Sequence, residues 1–195
     1  MAHIDHKPSR HQLNLLHVLT AFANEEAGIV NAIVEIPGGS INKYELITES
    51  GQLKLDRVGY SSIAYPDTYG AIPQTWDLDN DPLDIVIAGI TEPLVPGCLV
   101  EARIIGGIKF IDGGEVDDKI VAVLADDKRV EHVESLEDLG EHFKTNSKYF
   151  WENYKAIKKP GTGVVEQFVD AKEAAKIVKE SIARYEKDYA PKLED

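Results

Sequence analysis

A single cysteine, Cys98, stands in 195 residues, which excludes an intrachain disulfide and a cysteine-built zinc cluster. Cationic side chains are scarce too. Twenty-one lysines and arginines face 34 aspartates and glutamates, giving a formal charge of −13 and an isoelectric point near 4.9. Such a field repels nucleic acid and anionic membranes unless a concentrated basic patch offsets it, and the sequence contains none. Metal cations are the easier partner. Long apolar runs are also missing: the longest, Ile120–Ala125, suits one strand and falls far short of the roughly 20 residues that cross a bilayer. The first twelve residues, MAHIDHKPSRHQ, hold no apolar signal core, so the cytoplasm is the expected compartment. No repeat, low-complexity tract or linker calls for a second domain, and the length suits one.

What is present is 43% apolar and 28% charged, a mixture that folds and stays dissolved. Strands come first and helices last. Leu13, Leu16, Val18, Leu19 and Phe22 predict a helix over about 11–27, ended by Gly28. Ile29–Ile36, Lys43–Ile47, Leu53–Arg57, Asp84–Ala88, Leu99–Ile105, Ile108–Asp112 and Lys119–Ala125 read as strands, divided by glycine and proline turns. Leu53, Leu55 and Arg57 share one face of their strand, as Lys43 and Glu45 do of theirs. Gly59–Pro82 loses its period and reads as a long tyrosine-rich loop of the kind that often carries function. Many short strands without regular intervening helices predict a small closed or partly closed barrel. The last third changes period, giving helices over about 135–157 and 171–189. The first opens with Ser135 and Asp138 as a capping box, with Leu136, Leu139, Phe143, Phe150, Tyr154 and Ile157 inward and a break near Thr145–Ser147. All 195 residues are read as one domain.

The acidic residues sit where packing cannot explain them. Asp79-Asn-Asp-Pro-Leu-Asp84 places three carboxylates within six residues before an apolar strand, and Pro82 holds Asp81 extended. Carboxylates that close need solvent, shared protons or cations, and an all-oxygen set suits hard Mg²⁺ or Mn²⁺. A calcium loop begun at Asp79 fails, because Asp84 and Ile90 stand where glycine and glutamate are required. A DxD aspartyl-phosphatase turn also fails, since Ile72–Leu78 is no apolar strand. Asp112-Gly-Gly-Glu-Val-Asp-Asp118 joins two apolar strands as a hairpin loop would. Asp84, Asp112 and Lys119 all lie at strand ends, which in a small barrel could converge at one mouth. Glu35 and Glu45 each lie in a strand near a turn. Lys43, Arg57, Lys119 and Lys155, with Tyr65, Tyr69 and Tyr154, offer the cationic and hydroxyl groups that grip an oxyanion. Acids for cations and bases for an oxyanion together describe a metal–phosphate site. An organic-phosphate hydrolase and a noncatalytic binding barrel remain alternatives; the second would release no phosphate.

These residues resemble the soluble family I inorganic pyrophosphatases of compact prokaryotic type. The D-x-D-P-x-D signature matches Asp79–Asp84. Its companions follow in order: Val34–Pro37, Asn42–Glu45, Leu55–Arg57, Tyr65–Gly70, Asp112–Lys119 and Asn153–Lys155, covering about Val30 to Ile157. The resemblance implies a five-stranded OB-like barrel with flanking helices (α+β), and hydrolysis of inorganic diphosphate to two orthophosphates by a metal-activated water or hydroxide. It implies several Mg²⁺ per site, with Asp79, Asp84 and Asp117 on the principal ion and Asp84 also on its neighbour. Asp112 with Asp117 would hold a metal arriving with substrate, and Glu35 would hold the remaining one, through water. Asp81 would be the catalytic acceptor. Lys43, Arg57, Tyr69, Tyr154 and Lys155 would bind phosphate, with Glu45, Tyr65 and Lys119 as support. A hexamer of two trimers is implied, with the segment from His132 to Lys144 as a candidate interface helix. His3 and His6 are no more than adventitious metal ligands, and Cys98 is expected as a small buried hydrophobe. Asp67 and Thr68 depart from the family's tyrosine loop.

Overall fold

The computed structural model describes residues 13–193. His3, His6 and the first two residues of the helix expected over 11–27 lie outside that range. The elements are α1 (Leu15–Val18), β1 (Phe22–Asn24), β2 (Ile29–Ile36), β3 (Asn42–Leu46), β4 (Leu53–Val58), β5 (Thr68–Ala71) and β6 (Asp84–Ala88). They continue with β7 (Leu99–Asp112), β8 (Glu115–Val116), β9 (Lys119–Leu124), α2 (Glu141–Asn153), β10 (Gly163–Asp170) and α3 (Ala171–Arg184). Five strands close on themselves in the order β2-β5-β6-β9-β7, because β7 pairs back onto β2. Four of the five pairings are antiparallel; β6 and β9 run parallel. The ring is the expected five-stranded mixed barrel. β1, β8 and β10 extend its sheet, β3 and β4 form a separate hairpin, and helices flank it.

The parallel pair sets up the site. It places Asp84 opposite Lys119 as register partners at the start of β6 and β9, so both open at the same end of the barrel. On one face of the sheet Val30, Ala32, Ile85, Ile87, Ala102, Ile120 and Ala122 are buried in one cluster with Ala174, Ile177 and Val178 of α3. A second cluster on the other side of the sheet joins Val86, Ile108, Phe110 and Val121 to Phe150 and Trp151 of α2. Strands covered on both faces lose the polar alternation of a half-exposed sheet, which is why β2 and β9 read as nearly continuous apolar runs.

Several local expectations are corrected. The helix over 11–27 is only four residues long: Leu19 turns extended, and Phe22 pairs with Val30 across a turn closed at Gly28. Sheet pairing outweighs a short run of helical spacing whose Leu13 is 81% exposed. Within the expected loop lies β5, wholly buried and central to the barrel. The strands at Leu99 and Ile108 are one, since β7 continues through Gly106 and Gly107. Leu53 and Leu55 share a face as expected, but that face is exposed. The helix over 135–157 is a 3₁₀ turn, Leu136–Leu139, then α2, broken at Gly140 rather than near Thr145–Ser147. Asp138 accepts the Ser135 N–H there, as a capping box requires, and the Ser135 hydroxyl as well. Ile157 is exposed at 72%, outside the inward stripe. α3 gives way at Arg184 to a π turn over Tyr185–Tyr189. His132 to Lys144 is not one helix, and both His132 and His142 are exposed. Cys98 is half-buried. No helix among the described residues is long and apolar enough to cross a membrane.

Gly70 shows how tight the barrel is. A Cβ there would lie 2.1 Å from the Ile33 carbonyl oxygen on the neighbouring strand, far inside contact distance. Gly70→Ala is therefore expected to lower stability by about 2–4 kcal/mol, read as a shift in the urea midpoint with an unchanged slope.

Candidate active site

At the mouth where β6 and β9 begin is a cavity of about 120 Å³. Seven carboxylic side chains line it: Glu35 from β2, Glu45 from β3, Asp79 and Asp81 from the turn before β6, Asp84 on β6, and Asp112 and Asp117 on either side of β8. Lys43, Lys155, Tyr65, Tyr69 and Tyr154 complete the expected lining. Twelve of the fourteen residues singled out from the sequence thus face one space. Arg57 and Lys119 do not line it. Arg57 pairs with Asp56 at 2.6 Å, and its Nη2 is buried without a hydrogen-bond partner among the described residues. Lys119 stands behind the carboxylates, its side chain 1% exposed.

Local backbone explains how the acids converge. The Asp81 carbonyl accepts the Asp77 N–H at 2.7 Å, and Asp79 Oδ1 accepts the Asp81 N–H at 3.2 Å. Asn80 sits at a φ of 67°, a left-handed conformation that asparagine tolerates. The turn is tied outward by Asp77, buried and paired with Arg184 at 2.8 Å. On β2, Glu35 is buried, and its Oε1 accepts the Leu46 N–H at 2.6 Å. That bond aims the Glu35 carboxylate between the barrel and the β3–β4 hairpin.

Lysines neutralise part of the cluster. Lys119 Nζ donates to Asp84 Oδ2 at 2.5 Å and to Asp117 Oδ1. Lys155 donates to Asp112, and Lys43 to Glu45. The remaining acids have pKa values raised above the usual carboxylate range. Burial pushes Glu35 up to about 8, against the Leu46 N–H, with Asp81 adding repulsion. Burial and then Asp79 and Glu45 push Asp81 up to about 7, while burial and Asp117 push Asp79 up to about 6. Asp84 and Asp117 act as one pair. Burial and the Asp117 charge raise Asp84 well above the carboxylate range, whereas at Asp117 burial is outweighed by Lys119, the hydrogen bond with Asp84 and Lys43 together, and the pKa falls. The Tyr69 hydroxyl hydrogen-bonds Asp84, and burial raises Tyr69 strongly. Burial also takes Tyr65 up to about 12 and lifts Tyr154, so all three tyrosines are hydrogen-bond donors at neutral pH. Lys155 is lowered by burial and by repulsion from Arg57 and Lys43.

Among the described residues no three acidic, histidine or cysteine side chains form a ready-made metal cage, and ammonium groups hold several of the oxygens. The donor set nonetheless fits hard divalent cations: it is all oxygen, and seven acids line the cavity against two lysines. Sequence reasoning missed Trp151, which lines the cavity beside Tyr154 and Lys155. Positions 151, 154 and 155 have the three- and four-residue spacing of one helical face, and that signal was there to find.

The sequence and the fold resemble those of known proteins. A family profile described as inorganic pyrophosphatase matches residues 32–186. The inorganic pyrophosphatase of Neisseria meningitidis serogroup B is 45% identical over 164 residues, covering 83% of this chain and 92% of that protein. That of Halalkalibacterium halodurans is 43% identical over 162 residues, covering 82% and 97%. Among solved structures, an inorganic pyrophosphatase from Neisseria gonorrhoeae superposes with a TM-score of 0.85 at 41% identity, covering 89% of this chain and 99% of that one. One from Thermus thermophilus gives 0.80 at 38% identity, covering 86% and 97%.

Proposed function

The chain belongs to the inorganic pyrophosphatase family and catalyses metal-dependent hydrolysis of diphosphate to two orthophosphates; from that premise we propose how its cavity divides the work. The observation that carries the division is the convergence of seven carboxylates and several cationic and phenolic groups on one cavity. Asp79, Asp84 and Asp117 hold the principal cation, and Asp84 also serves its neighbour. Asp112 and Asp117 would hold a further cation, and Glu35 would contribute to the remaining one. Mg²⁺ is the leading ion, several per site, and Mn²⁺ or another hard divalent ion fits the same oxygens. When bound, such cations would neutralise diphosphate and lower the pKa of the attacking water.

The chain's own groups do the rest. Asp81 accepts the proton of the attacking water on a carboxylate oxygen; a pKa pushed up to about 7 suits a base working near neutrality. Lys43 and Lys155 leave Glu45 and Asp112 for phosphate oxygens, and Arg57 turns its unpartnered Nη2 to the same anion. Tyr69 and Tyr154 donate hydroxyl hydrogens to phosphate oxygens. Tyr65, Glu45 and Lys119 support this network, which stabilises charge building on the leaving phosphate.

All 195 residues act as one domain in the cytoplasm, and the chain assembles as a hexamer of two trimers, which sedimentation would read as six times the 21.6 kDa chain mass. The substrate reading is tested by orthophosphate release from diphosphate and from organic phosphomonoesters under the same Mg²⁺. Diphosphate is expected to be strongly preferred; preference for a phosphomonoester overturns it. Arg57→Ala is expected to lower kcat/KM by about 10- to 100-fold, as loss of a charge-assisted phosphate contact does. Mg²⁺ affinity in a parallel titration should barely change.

A further inference from the structure

Lys119 is the most enclosed charge in the site. Its ammonium sits between Asp84 and Asp117 and under three aromatic faces from three separate elements: Trp151 of α2 at 5.1 Å, Phe110 of β7 at 5.5 Å and Tyr69 of β5 at 5.8 Å to the ring centroids. Trp151 is 4% exposed and braces the other two rings, with centroids 5.5 Å from Tyr69 and 5.7 Å from Phe110. The ammonium therefore already occupies carboxylate oxygens that a divalent cation would need. A divalent cation bound to Asp84 and Asp117 would compete with the ammonium for Asp84 Oδ2 and Asp117 Oδ1 and repel it at contact distance, which drives the ammonium away. A buried ammonium that yields needs another electron-rich neighbour at once, because an unpaired buried charge is very costly. The rings it already faces supply one without any group entering from solvent, in a contact that tightens as the ammonium draws back from the carboxylates, and indole is the strongest of the three.

We infer that Lys119 is an internal, exchangeable counter-cation for Asp84 and Asp117, and that Trp151 is the positioning residue whose face seats the ammonium when a divalent cation takes those carboxylates. The inference rests on the reading of Asp84 and Asp117 as cation ligands. It assigns Trp151 a role in metal loading that ordinary core packing would not give it. Lys119 becomes a competitor of the metal as well as a brace, so removing its charge should help the metal bind.

Calorimetric titration of metal-stripped, substrate-free protein with MgCl₂ tests this. Wild type should bind saturably, and Asp84→Asn should lose about ten-fold or more in affinity. Lys119→Met should tighten binding by about five-fold, and Trp151→Leu should weaken it by about five-fold, a modest part of one cation–π contact because the ring faces the ammonium in both states. Trp151→Phe, which keeps a ring, should stay within about two-fold of wild type. In a Lys119→Met background, Trp151→Leu should change nothing beyond error, since its partner is gone. The chain has two tryptophans, and Trp76 packs against Tyr189 away from the cavity. In Trp76→Phe, the remaining indole emission should change on adding Mg²⁺, with the calorimetric midpoint. Weaker Mg²⁺ binding in Lys119→Met, a Trp151→Leu effect that survives in the double variant, or emission indifferent to Mg²⁺ would each overturn the exchange. Equal binding by wild type and Asp84→Asn would instead remove the ligand reading beneath it, and the exchange with it.

Discussion

Asp81→Asn is expected to lower kcat by about two to four orders of magnitude, the usual worth of a positioned general base, while the fold and diphosphate binding persist. The turn that presents Asp81 is held by backbone groups: its N–H meets Asp79 and its carbonyl meets the Asp77 N–H. An amide of nearly the same shape therefore leaves the turn intact. What changes is proton acceptance at one carboxylate, crowded by Asp79 and Glu45. Stopped-assay phosphate counts give kcat, and retention of diphosphate by equilibrium dialysis separates chemistry from binding. A variant with undiminished kcat removes Asp81 from the role of base. A large rise in KM with kcat preserved would instead make it a binding residue.

The second large effect is on the metal-free protein, whose stability should fall as pH rises. Glu35, Asp81 and Asp79 have folded pKa values of about 8, about 7 and about 6, and Asp84 lies well above the carboxylate range. In the unfolded chain the same groups ionise near pH 4. Between those limits the folded state holds more protons than the unfolded one, so raising the pH favours unfolding. Asp117, lowered by Lys119, runs the other way, and its stabilisation is lost only in acid. Allowing for partial solvent access, the net effect should be about 2–3 kcal/mol, or a melting temperature about 5–10 °C lower at pH 8 than at pH 5.5. Divalent cations replace the protons, so Mg²⁺ should restore the loss at pH 8 and do much less at pH 5.5. Binding should also release protons, measurable as a buffer-dependent calorimetric heat. Stability of the metal-free protein that rises from pH 5.5 to 8 would contradict the cluster's electrostatics.

The chemistry of the site was far more legible in the sequence than the course of the chain between its parts. Asp79 to Asp84 could be read because three acids before an apolar strand have no packing rationale, and Lys119 because a charge opens an otherwise apolar run. β5 was hidden: four residues including a glycine, with Pro66 and Pro73 close by, carry too little pattern to announce a strand. Only barrel closure against β2 and β6 makes Thr68–Ala71 extended. β10 escaped notice because its Glu166-Gln167 pair falls at a register shift against β7, which breaks the two-residue alternation. Gly106 and Gly107 read as a break between strands, yet their lack of side chains serves packing. A Cβ at Gly106 would lie 2.5 Å from Leu136 and 2.7 Å from the Val169 carbonyl oxygen. Trp151 was overlooked for a different reason. Phe150, one residue away, fitted the inward stripe, and the adjoining face that carries Trp151, Tyr154 and Lys155 to the cavity matters only once the barrel mouth is known.

The central claim is that carboxylates drawn from separate strands and turns hold the cations on which diphosphate cleavage depends. It is tested most directly by counting orthophosphate released from diphosphate by metal-stripped protein, before and after Mg²⁺ is returned, in wild type and in Asp84→Asn. The account predicts negligible release without metal, full turnover once Mg²⁺ is restored to wild type, and little recovery in Asp84→Asn at the same concentration. Equal release with and without Mg²⁺, or full recovery in Asp84→Asn, would contradict it.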